Sequence, residues 1–162
     1  MEVGDWEGPA LRRVDLWAAD QWMTCDDNLA YVKQFRRAVG DTAVRLRSGD
    51  GSPLPFAGLS AAATHQRLVA GAGDEAKDDE LRRQFRVFDR WGATTDNVLA
   101  FLFRDGDHLV ITLQFWREEH LLKHPEHVGT VFAVEIRAAP LAGILEELVA
   151  VLDHREGLPV IS

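Results

Sequence analysis

The stretch Val98–Trp116, "VLAFLFRDGDHLVITLQFW", constrains the fold more than any other part of the chain. Two apolar runs flank Asp105-Gly106, and a two-residue turn between antiparallel strands favours Asp-Gly because its central residues take positive φ. With those two residues at the turn, Arg104 stands opposite Asp107, Leu102 opposite Leu109, Ala100 opposite Ile111 and Val98 opposite Leu113. One face of the hairpin is then wholly apolar and has to be covered. The other pairs Phe101 with Val110 and Leu99 with Thr112, then turns more polar toward Gln114 and Trp116. "TVFAVEIRA" predicts a third strand, with Phe132, Val134 and Ile136 on one side and Glu135 and Arg137 on the other. Pro140 opens a last helix over 140 to 153, whose stripe of Leu141, Ile144, Leu145, Leu148, Val149 and Leu152 must lie on the sheet.

The first half predicts helices. In "DDNLAYVKQFRRAVG" Asp26 or Asp27 can cap a helix in which Leu29, Val32, Phe35 and Val39 share a face, with Gly40 at its stop. "VDLWAADQW" repeats that spacing through Val14, Trp17, Ala18 and Trp22. Ser60 begins a short helix closed by Gly71. From Asp79 a pattern of Leu81, Phe85 and Phe88 runs toward Gly92, although residues 85 to 91 suit a strand equally. "GDTAVRLRSGDGSPLPFAG" (40 to 58) and "GAGDEAKDD" (71 to 79) read as connections. The expected architecture is one α+β domain over residues 1–162, with a helical first half and a C-terminal antiparallel sheet of at least three strands packed by a C-terminal helix. At this length a chain buries roughly two thirds of its unfolded surface, and 46% hydrophobic residues with 27% charged suit a folded domain.

The net charge of −8 is dispersed: 14 acids against 9 bases in residues 1–81, and 12 against 9 in 82–162. The densest arginine run, "LRRQFR", directly follows "DEAKDDE". No clustered basic surface is expected, hence no nucleic-acid partner. The single cysteine, Cys25, has no internal disulfide partner, and Asp26 and Asp27 beside it oppose a thiolate, so it reads as structural. The first residues lack the basic and apolar stretches of a secretion signal and no apolar run reaches the ~20 residues of a membrane span, so a soluble, cytoplasmic protein with no membrane partner is expected.

"REEHLLKHPEH" (117 to 127) holds the candidate chemistry. As the connection between the second and third sheet strands, it reads as a short helical turn broken at Pro125. His120 and His124 at i, i+4 can reach one zinc or another divalent ion, with Glu119 or His127 as a third ligand. The zinc-protease pattern wants glutamate where Leu121 stands, so its catalytic base is missing; a proton relay and a solvated polar connection are the other readings. "VAGAGDEA" (69 to 76) imitates a dinucleotide fingerprint, but Asp74 and Glu75 stand where a pyrophosphate would approach. No other standard catalytic spacing is present.

These features lead to the expectation of a non-catalytic binding or regulatory protein, such as an inhibitor or immunity-type protein, with no cofactor and recognising a protein partner through an acidic, aromatic surface. Trp116, Glu118, Glu135 and Arg137 are its expected contact residues. The alternative is a small metal-dependent enzyme or ligand-binding protein using the 117–127 cluster.

Overall fold

In a computed structural model, residues 1–154 of the chain are described. β1 (Glu2–Trp6) pairs antiparallel with β2 (Leu11–Asp15), and a two-residue hairpin of β3 (Trp17–Ala18) and β4 (Gln21–Trp22) follows. β5 (Leu29–Tyr31) returns to the other edge of β2, giving a three-stranded sheet in the order β1-β2-β5. Then come α1 (Val32–Ser48), α2 (Ala61–Ala70) and α3 (Glu75–Phe85), before β6 (Val98–Asp105) and β7 (His108–Phe115). After α4 (Glu118–Lys123), β8 (Phe132–Arg137) completes a second antiparallel sheet, β6-β7-β8, and α5 (Ala138–Asp153) closes the described fold.

The helical first half is therefore overturned, although the fold is α+β. Residues 14 to 22, expected as helix, are instead the end of β2 and the β3–β4 hairpin. The apolar spacing there served two periods at once, and the extended one wins because Val14 and Leu16 alternate inward while β2 is bonded on both edges. Ala19 and Asp20 both carry positive φ, 51° and 60°, the conformation a tight hairpin needs, and it brings Trp17 opposite Trp22. The helix expected from Asp26 or Asp27 starts later, at Val32. Asp27 instead accepts the Leu29 N–H at 2.9 Å, and Leu29 belongs to β5.

Gly40 does not stop α1, which runs on through part of the expected 40–58 connection to Gly49, where φ is 87°. Val32, Phe35, Val39, Ala43 and Leu46 make its buried stripe. That stripe packs against α5, whose Leu141, Leu145, Leu148 and Leu152 are buried. α2 holds the expected bounds, its Ser60 hydroxyl accepting the Ala63 N–H. The expected connection at 71–79 is partly α3, capped by Asp74. Arg86 then makes a bridge to Phe101, so the 85–91 stretch leaves the helix at Phe85.

The β6–β7 pairing keeps every expected face but moves by two residues: Asp105 faces His108, Leu102 faces Ile111 and Ala100 faces Leu113. The turn residues are Gly106 and Asp107, and only Gly106 has positive φ, 61°. A glycine alone at the first central position is the requirement of the II′ turn rather than of I′. β8 takes the expected orientation, with Ile136, Val134 and Phe132 opposite Leu109, Ile111 and Leu113.

Both faces of this sheet are covered. One joins α1, α5 and the N-terminal strands in the main core; the other places Phe101 and Phe103 against Leu68 of α2 and Phe85 of α3. None of the helices among the described residues is long and apolar enough to cross a membrane.

A methyl group built at Gly40 meets only Val149 Cγ2, at 3.8 Å, an ordinary contact. Gly40→Ala is therefore expected to stabilise the protein by about 0.5–1 kcal/mol through helix propensity, read as a raised denaturation midpoint. A lowered midpoint would show that α1 does not pass unbroken through residue 40.

Candidate functional site

α4 and the single helical turn after it fold the 117–127 connection so that three histidine rings gather at the end of β7. Phe115, buried, stacks on His120 at 4.0 Å between centroids and on His127 at 4.9 Å; His124 lies 4.8 Å from His120. His120 is itself buried. Its Nδ1 donates to Asp26 Oδ2 at 2.7 Å, bringing together residues from opposite halves of the chain. A neutral His120 that donates through Nδ1 carries its lone pair on Nε2, so His127 Nδ1 donates to that nitrogen across 2.8 Å. The chain Asp26–His120–His127 thus runs from a partly buried carboxylate to an imidazole near the surface.

Asn97 donates Nδ2 to the same Asp26 oxygen at 2.7 Å, while its Oδ1 is buried without a partner. Burial works to raise the Asp26 pKa, but the hydrogen bonds from Asn97 and His120 outweigh it and hold the carboxyl below its ordinary value. Burial, together with the positive charge His120 carries when protonated, lowers the pKa of His127. Cys25 Sγ lies 3.7 Å from His120 Nδ1. Burial and then the Asp26 charge push its thiol up to about 11, the direction expected from the neighbouring acids.

The sequence-predicted zinc ligands are only partly assembled. Both nitrogens of His120 are already engaged, His124 Nδ1 faces Glu126 at 3.4 Å, and Glu119 points into solvent from α4. Among the described residues, the three donors that converge are Cys25, Asp26 and His120, all within 4.8 Å of one another. Nothing local in the sequence announces this, because Asp26 and Asn97 are contributed by distant loops.

The predicted contact residues are split between the two ends of the sheet. Trp116 is 56% exposed just beyond β7, with the Arg117 guanidinium 5.9 Å from its ring and Glu118 exposed beside it. Glu135 stands opposite Val110 and Arg137 opposite His108, toward the hairpin turn. Six residues separate Val110 from Trp116, roughly 20 Å along a strand, so the four do not form one patch.

A different aromatic surface is formed by β3 and β4. Trp17 and Trp22 stack at 6.2 Å and remain 43% and 42% exposed. Trp22 Nε1 donates to Asp15 at 3.1 Å, which fixes its ring. Beside Trp17 opens a groove of about 500 Å³. Ile111, Val134 and Ile136 floor it, Ile144 and Leu148 of α5 wall it, and Asp20 stands at its rim.

Comparison of the chain with protein-family models, with curated proteins and with solved structures finds no match, so the functional reading rests on this geometry.

A thiol with a pKa of about 11 has roughly a hundredth of the thiolate of one at 9.0 when both sit near pH 8. Cys25 in the folded protein is expected to be alkylated by iodoacetamide about two orders of magnitude more slowly than in the urea-unfolded chain. Equal rates would mean that neither burial nor Asp26 protects it.

Proposed function

We propose that the protein is a non-catalytic binding protein that docks a protein partner through the Trp17–Trp22 hairpin and the apolar groove beside it. The observation that carries this reading is the stacked, half-exposed tryptophan pair bordering a groove floored by the sheet. Stacked tryptophans present a large apolar area with little rotamer entropy to lose, the property of interface anchors. Burying the exposed parts of Trp17, Trp22 and Ile144 supplies the favourable term, while Asp20 and the net charge of −8 select a partner whose apolar residues are flanked by lysine or arginine. That charge also disfavours a nucleic-acid partner. A reducing compartment such as the cytoplasm suits the free thiol of Cys25.

A displayed-peptide selection against the folded protein tests the reading. Enriched peptides are expected to interleave aliphatic residues with Lys and Arg. Trp17→Ala is expected to weaken them by about 2 kcal/mol, roughly thirtyfold, with little change in unfolding midpoint. Peptides that bind Trp17→Ala and Ile144→Asp as tightly as the parent protein would overturn it. So would a sedimentation-detected dimer abolished by Ile144→Asp, which would give the groove to a second copy of the chain.

A second reading is favoured by the donor set Cys25, Asp26 and His120: a divalent metal, zinc above all, held at this centre. The 3.7 Å Sγ···Nδ1 separation is close to the ~3.6 Å that two ligands of a tetrahedral zinc span, and the unpartnered Oδ1 of Asn97 offers a fourth donor after rotation of its amide. The 2.7 Å contact of Asp26 with His120 would have to open by about 0.6 Å. Equilibrium dialysis of untagged protein should then retain about one zinc per chain, and His120→Ala should lose it. Retention of none would leave the centre as a hydrogen-bonded clasp.

A further inference from the structure

Exposed arginines of this chain take partners almost everywhere. Arg13, Arg36, Arg47, Arg83, Arg117 and Arg137 pair with carboxylates, Arg82 and Arg45 likewise, Arg12 and Arg104 bond backbone carbonyls, and Arg67 lies over Phe56. Among the described residues, Arg37, Arg86 and Arg90 have no ion pair, side-chain hydrogen bond or aromatic contact, and all three line one cleft. Lys33, also unpaired, joins them there. In a chain of net charge −8, unpaired cations brought together from two distant segments are held against mutual repulsion while carboxylates are abundant nearby.

The cleft, about 460 Å³, lies between the first four turns of α1 and the segment 86–91. Lys33, Arg37 and Arg45 follow one another at i, i+4 and i+12 along the helix wall, and Arg86 and Arg90 stand on the other wall. Asp41 and Asp89 also line it, and with Arg45 paired to Asp50 that leaves four unpaired cations against two acids. The walls are fixed rather than loose. Trp91 Nε1 donates to Thr42 Oγ1 at 3.1 Å across the base, and the Trp91 ring meets Phe35 edge-on at 5.7 Å. Phe88 takes a φ of 70°, a costly conformation for an aromatic residue, and its carbonyl is held by the Trp91 N–H at 3.1 Å and the Thr95 hydroxyl at 2.9 Å. That bend turns Arg86 and Arg90 outward on either side of the buried Phe88.

We infer that this cleft binds a small phosphorylated molecule, its phosphoryl oxygens held between Lys33 and Arg37 on α1 and Arg86 and Arg90 opposite. The planar guanidinium fork matches two phosphate oxygens at once, and a volume near 460 Å³ is that of a small-ligand site rather than of a macromolecular track. Tyr31, 51% exposed at the cleft, gives an aromatic face for a ring attached to the phosphate. The inference does not depend on the groove beside Trp17 having a partner.

Calorimetric titration at low salt with inorganic pyrophosphate and with a nucleoside diphosphate is the test. One site per chain is expected for both. Arg37→Gln combined with Arg90→Gln should weaken both by about tenfold or more, and Arg86→Gln alone should weaken them in the same direction. Arg83→Gln, which removes an equal charge outside the cleft, should change them by less than about twofold. The unfolding midpoint of each variant, expected at or above that of the parent because repulsion is relieved, shows whether it is folded. Absence of saturable binding to either probe, or equal loss in Arg83→Gln, would overturn the inference. Binding of an acidic peptide but not of pyrophosphate would also overturn it, by assigning the cleft to a macromolecule.

Discussion

The structure depends on the need to cover the β6–β7 hairpin on both faces. Ala100, Ile111 and Leu113 point one way, Phe101 and Phe103 the other, and neither set is left to water. At about 25 cal/mol per Å² of apolar surface, exposing either face would cost several kcal/mol. α2 and α3 answer one face. α1, α5 and the N-terminal strands answer the other, and in doing so they bring Cys25 and Asp26 to the end of β7, within reach of His120. The clasp at that end is thus a product of how the main core is closed.

The same closure builds the two surface cavities. The segment around Phe88 and Trp91 is shared between them: both residues line the cationic cleft on one side and the apolar groove on the other. Two cavities of opposite character lie back to back because a buried aromatic pair, 4.5 Å between ring centroids, forms a thin wall. One side meets the apolar sheet and α5, the other the charged outer face of α1.

Legibility in the sequence followed the range of the interactions. Faces of the second sheet were readable, because alternation survives even a two-residue register error; the error arose since the choice between turn residues 105–106 and 106–107 depends on a single backbone angle at Gly106. Ser60 and Gly71 marked α2 correctly, as local caps do. Residues 14 to 22 were misread because Val14, Trp17 and Trp22 fit a helix as well as a strand, and only the pairing of Val14 with β1 and of Trp17 with Trp22 decides between them. His120 was visible as a candidate, but its partner Asp26 lies 94 positions away. The cationic cleft was invisible for the same reason. Charge looked dispersed along the chain, and the fold concentrates Arg37 with Arg86 and Arg90.

The pairing of α1 with α5 has a consequence during synthesis. The apolar stripe from Val32 to Leu46 is made early, and the helix that buries it spans 138–153. While the ribosome is still translating the second sheet, the nascent chain carries an uncovered amphipathic helix, the kind of surface chaperones hold. The N-terminal strands can pair as they emerge, since their partners are near in sequence, but the main core cannot close until translation has passed residue 153 and α5 has cleared the exit tunnel. In the main core, then, the first helix made is the one that waits longest for its cover.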